Sequence, residues 1–141
     1  PLDNKVDLSA SNADQVIYNL NRNLIHRADV LVVNLEDFRG FEPDSGTVWE
    51  LAYGFALNKV VIGYMPTNRT MVERIAAQQG VVNTEFGVTD LQGNYIENFG
   101  HPMNLMLKNS MTAFVVGDVK DALDKAVEIL KNRQSIVTYC N

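Results

Sequence analysis

Asp44 and Glu50 stand six residues apart in the stretch "FEPDSGTVWELAYGFALNK", residues 41–59, with Gly46 between them and Gly54 one helical turn after Glu50. The apolar residues that follow Thr47 predict a helix, so both carboxylates can face one cleft across a glycine turn. Two carboxylates in one cleft can hold different protonation states and different roles. A glycine inside a helix costs about 1 kcal/mol relative to alanine. Gly54 therefore implies space beside Glu50, either for a ligand or for a closely packed chain. Backbone N–H groups at the helix start can hold polar oxygens without basic side chains. A carboxylate near a helix N-terminus stays ionised at neutral pH. Such a group is unsuited to general-acid work. It suits a nucleophile or an electrostatic stabiliser, as in retaining glycosyl transfer. The same letters have an architectural reading. "TVWE" is a capping box, in which Thr47 caps the first N–H groups and Glu50 reaches back.

Composition narrows the partners. The chain has 141 residues, 46% hydrophobic and 21% charged, with a net charge of −5. That suits one domain with its own core, spanning residues 1–141. No basic surface is available to attract nucleic acid or anionic lipid. A single cysteine, Cys140, excludes an internal disulfide and a multi-cysteine metal site, and His26 and His101 show no metal-ligand spacing. No apolar run approaches the roughly 18 residues that span a membrane. The expected location is cytoplasmic.

The elements that must position the carboxylates follow from periodicity. Residues 12–27 carry Val16, Ile17, Leu20 and Leu24 at helical spacing behind Ser11 or Asn12 as cap. Residues 29–35, "DVLVVNL", predict a strand buried on both faces. A polar loop, 36–46, leads into a helix over 47–58, with Val48, Leu51, Ala52, Phe55 and Ala56 as its inward stripe. A second buried strand is expected at 59–65 and a helix at 69–79. An irregular insert over 79–100 and a short helix over 101–107, entered through Pro102, come next. A strand at 111–117 precedes an amphipathic helix over 118–133, capped by Asp118, with Val119, Ala122, Leu123, Ala126, Val127 and Leu130 inward. Helices alternating with short apolar strands predict an α/β fold, a doubly wound, flavodoxin-like parallel sheet with helices on both faces. Ligands of such sheets bind beyond the carboxyl ends of the strands, where loop 36–46 lies. A parallel-sheet domain whose first strand comes only at residue 29 implies an N-terminal strand–helix–strand that this chain lacks.

At these residues the chain resembles the nucleoside 2-deoxyribosyltransferase family. The family pattern is an acidic residue followed by x-G-x-x-x-E-x-G-x-A-x-A. Here "DSGTVWELAYGFAL" supplies Asp44, Gly46, Glu50 and Ala56, with Ala52 where the family has glycine. A second block, "FGHPMNLMLKNS", matches G-x-P-x-N-L-M at Gly100, Pro102, Asn104, Leu105 and Met106. The lead-in "FRGFEPDSGT" looks most like the purine-tolerant branch. The resemblance implies that Glu50 is a nucleophile that takes 2-deoxyribose from one nucleobase and passes it to another with retention of the β-anomer. It implies that Asp44 contacts the substrate, with Gly46 in the same turn, and that Asn21 lies near the base. It places Asn104 and Met106 in a neighbouring subunit's site. The expected partners are 2′-deoxynucleosides and free nucleobases, in a homo-oligomer, a dimer or higher, with shared sites. No cofactor or metal is implied.

Two other functions compete. A related branch hydrolyses the N-glycosidic bond of 2′-deoxynucleoside 5′-phosphates, but it tends to carry Ser where Asp44 stands, since an acid repels phosphate. A more distant phosphoribohydrolase group shares G-T-x-x-E with "GTVWE" but requires a double glycine that is absent. The non-enzymatic alternative is a nucleotide-sensing domain of the same fold in which Glu50 is only a cap.

Overall fold

The computed structural model describes the backbone of residues 6–139 and the side chains of residues 6–133. Three parallel strands form the main sheet: β1 (Val30–Asn34), β2 (Val60–Met65) and β6 (Ala113–Val116), in the order β1-β2-β6. Val30 pairs with Val60 and runs in register to Asn34 opposite Tyr64; Ile62 pairs with Ala113 and runs to Met65 opposite Val116. Central β2 is buried at every residue except Tyr64, as its unbroken apolar run requires.

Helices cover both faces. On one, α1 (Ala13–Arg27), α2 (Ser45–Ala56) and α4 (Leu105–Asn109) pack Ile25, Leu51 and Leu107 against Leu31, Val33, Val61 and Met65. On the other, α5 (Val119–Tyr139) lays Ala122 and Ala126 on Val60 and Ile62. Asp118 caps α5 as expected, accepting from the N–H groups of Lys120 and Asp121. Its inward face is narrower than the sequence pattern predicts. Val119, Leu123, Val127 and Leu130 stay exposed, because the helix rests on its small alanines. In α1, Val16 and Leu24 are likewise exposed.

The inward face of α2 is also rotated from the predicted stripe. Leu51 and Gly54 are buried, Val48, Tyr53 and Leu57 are half-buried, and Ala52, Phe55 and Ala56 face outward. The reason is Gly54. A Cβ there would stand 2.7 Å from a Leu31 methyl carbon, so helix and strand approach each other at that point. Of the two uses the sequence left open for Gly54, close packing is the one observed.

Residues 79–100, expected to be irregular, hold a small antiparallel sheet of β3 (Val82–Thr84), β4 (Gly87–Thr89) and β5 (Tyr95–Ile96). Strands of two or three residues are too short to show alternation. Its turns are chemical instead. Gly87 has φ +131°, and Asp90 accepts from the N–H groups of Gln92 and Asn94. The unit is anchored by Val88 and Ile96, which pack on Met71 and Ile75 of α3 (Met71–Gln78). α4 starts at Leu105 rather than near His101. Pro102 and Met103 are buried as a non-helical lead-in, and Asn104 is the cap.

Candidate active site

Asp44, not Thr47, caps α2. Its Oδ2 accepts from the backbone N–H groups of Gly46 at 3.0 Å and Thr47 at 3.2 Å. A β-carbon at Gly46 would come within 3.0 Å of that oxygen, so a small residue there keeps the carboxylate seated. The helix therefore begins two residues before the predicted start, and the Thr47–Glu50 capping box does not form. A capping box does form at Thr70–Glu73, where α3 begins. Glu50 becomes the sixth residue of α2, beyond the free N–H groups of its first turn.

Released from capping, Glu50 opens into two cavities. One, of about 220 Å³, is bounded by Asn21, Leu24, Ile25, Leu31 and Val33. The other, of about 270 Å³, is bounded by Tyr18, Asn21, Gly46 and Trp49. Glu50 and Asn21 line both. Asn21 Nδ2 donates to Glu50 Oε1 at 3.4 Å, a long bond, while Asn21 Oδ1 is buried without a partner. Desolvation raises the Glu50 pKa above its ordinary 4.5, and the negative charge of Asp44 raises it further. The direction is opposite to the one the helix start alone would give. Burial outweighs the dipole because Glu50 lies past the turn where the dipole acts. A desolvated carboxylate is a stronger base and nucleophile than a solvated one.

The structure brings Asn21, Gly46 and Glu50 together in the cavity lining; Asp44 lines neither cavity and reaches Glu50 only through its charge. Asn104 and Met106 line neither cavity. Asn104 accepts from Met106 N–H at 2.8 Å as the cap of α4, and its Nδ2 donates to Glu97 Oε1 at 2.8 Å. Met106 is 66% exposed. Two aromatic residues the sequence reading did not single out stand beside Glu50. Tyr18 and Trp49 have ring centroids 5.5 Å apart, and Trp49 stacks on Tyr53 at 4.9 Å. Their only signal was position: Tyr18 is one turn before Asn21 on α1, and Trp49 adjoins Glu50. Among the described residues no cluster of His, Cys, Asp and Glu could hold a metal, and no helix is long and apolar enough to cross a membrane.

The sequence model described as "Nucleoside 2-deoxyribosyltransferase" matches residues 1–106 of this chain. The chain belongs to the nucleoside 2-deoxyribosyltransferase family. A solved structure, a 2-desoxiribosyltransferase from Leishmania mexicana, is 34% identical to it and superposes with a TM-score of 0.68, over 86% of this chain and 72% of that one. Comparison with curated protein sequences returned no match. This deoxyribosyltransferase is thus a transferase enzyme of α/β parallel-sheet fold, and nucleosides and nucleobases are the substrates that suit its family.

Proposed function

We propose that Glu50 is the nucleophile of a two-step, retaining transfer of 2-deoxyribose. The observation that carries this reading is a partly desolvated carboxylate, free of capping duty, lining two cavities at once. In the first step Glu50 attacks C1′ of a 2′-deoxynucleoside. The C1′–N bond breaks, its electron pair leaves with the base, and the base takes a proton from solvent. In the second step a nitrogen of the incoming base attacks C1′ of the glycosyl ester from the face opposite Glu50, and the base gives up its N–H proton to solvent. The ester bond breaks, the carboxylate is regenerated, and the two inversions give the β-anomer. Asp44 accepts a hydrogen bond from the sugar or the base, and its charge disfavours a 5′-phosphate. Asn21 contacts the base. Purine bases are accepted, a reading supported by the "FRGFEPDSGT" lead-in. Exposed Met106, and Asn104 beside it, complete the site of a second subunit.

Incubation with deoxyinosine and adenine tests the reading. A transferase forms deoxyadenosine, a hydrolase forms only hypoxanthine and deoxyribose, and a sensing domain forms neither. Either of the last two results rejects the transfer mechanism.

A further inference from the structure

Among the described residues, Arg74 on α3 is the one buried charged side chain, 7% exposed. It pairs with Asp37 and donates to the carbonyl of Phe41 through both terminal nitrogens, at 3.3 and 3.4 Å. It also donates to the carbonyl of Pro102. These three partners belong to two chain segments. Asp37 and Phe41 lie in the loop that ends at Asp44, and Pro102 lies two residues before Asn104. A buried cation requires its counter-charge. Asp37 alone would meet that requirement, but the two carbonyls are extra. They come from separate loops, and only the guanidinium fork has donors spread widely enough to serve both.

Other contacts reinforce the same junction. Phe41 packs on the cluster of Met71, Ile75, Val88 and Ile96. Met71 N–H donates to the His101 carbonyl at 3.0 Å. Glu97, next to Ile96, accepts from Asn104 Nδ2 and from Leu105 N–H, each at 2.8 Å. One helix thus anchors both the lead-in to α2 and the lead-in to α4.

We propose that Arg74 is a positioning residue for deoxyribosyl transfer: it locks the Asp44 loop and the Asn104 segment to α3 in a single arrangement. The step rests on the functional reading above, because it assigns those two segments to substrate. Arg74 itself touches neither cavity beside Glu50. Its action is through placement, and an error of about 1 Å in placement costs on the order of 100-fold in rate.

Arg74→Lys keeps a cation for Asp37 and removes the fork. Asp37→Asn keeps the fork and removes its counter-charge. Hydrogen–deuterium exchange of the full chain is read beside steady-state kinetics with deoxyinosine and adenine. In Arg74→Lys, amides of residues 38–47 and 103–107 should exchange at least about tenfold faster together, while those of β1 and β2 stay protected. KM for deoxyinosine should rise and kcat fall, each by about tenfold. Asp37→Asn should show the same pattern, more weakly. A merely architectural Arg74 predicts a lower melting temperature with unchanged kcat and KM, and that result overturns the proposal. So does faster exchange in only one of the two segments, or failure of both variants to fold. If wild-type protein exchanges no bases, the functional reading fails, while the exchange pattern still decides whether Arg74 joins the two segments.

Discussion

Replacing Glu50 by glutamine separates the nucleophile from the cap more sharply than any other change. Gln keeps the side-chain length and the Oε1 that accepts from Asn21 Nδ2 at 3.4 Å, so packing is preserved. An amide cannot form a glycosyl ester, and turnover should fall by at least about 10³-fold. Stability should move the other way. The folded-state pKa of Glu50 is raised above 4.5, chiefly by desolvation and then by Asp44. The protonated form therefore stabilises the fold fully below pH 4.5, and that contribution is lost as pH rises through the folded value. At pH 7 wild type carries an ionised, partly desolvated carboxylate that the Gln variant does not. One pKa unit is worth about 1.4 kcal/mol. Glu50 is half-exposed and partly screened by solvent, so the gain should stay below about 1 kcal/mol. That is about 2–4 °C in melting temperature at most for a chain of this size. Thermal melts at pH 7 and pH 4, with base exchange followed by chromatography, form the assay. The variant should be inactive, slightly more stable at pH 7, and equal to wild type at pH 4. A Gln variant that still exchanges bases at the wild-type rate, or that loses a cap's worth of about 1 kcal/mol at pH 7, would refute the reasoning.

Three further outcomes are expected. Asp44→Ser should lose nucleoside transfer and gain activity on the 5′-monophosphate, yet melt within about 0.5 kcal/mol of wild type, because serine also caps helices well; unchanged kinetics on both substrates would leave Asp44 with capping alone. Gly54→Ala should lower stability by about 1 kcal/mol, since crowding against Leu31 outweighs the gain in helix propensity. Leu31→Ala in that background should couple with it in a double-mutant thermal cycle, and strict additivity would disprove the contact. The protein should elute at twice its monomer mass or more, and Met106→Glu should shift it toward monomer with loss of exchange; a fully active monomer by light scattering would remove Met106 from any shared site.

The parallel sheet was legible because its strands are continuous apolar runs between helices, and the Glu50 region was legible because carboxylates and glycines are sparse in such a helix. Three features were not. The start of α2 was misplaced because Thr47 and Glu50 spell a capping box as well as Asp44 does an N-cap, and only the path of the loop decides between them. The inward face of α5 was drawn too wide and that of α2 was rotated, because periodicity finds an apolar stripe without telling which of its residues touch the sheet. The closest approach to the sheet is made at Gly54, Ala122 and Ala126, where small size is the asset. Arg74 follows Glu73 in a short helix whose charged pair any surface helix could carry. Its burial comes from two loops distant in sequence, a relation no local pattern encodes.

Asp44 and Glu50 belong to one helix, the first as its cap and the second about 9 Å further along its axis, at 1.5 Å per residue. Their separation is therefore written in main-chain hydrogen bonds and owes nothing to the side chains beneath. Drift in the core, a repacked Leu51 or a tilted helix, carries both carboxylates as a single rigid piece. The loop 36–44 is where the same drift would re-aim that piece against the rest of the cleft. Over evolutionary time the interior of such a protein is free to vary widely at constant chemistry, whereas insertions or deletions in this one short loop should be the changes that redirect what the enzyme accepts.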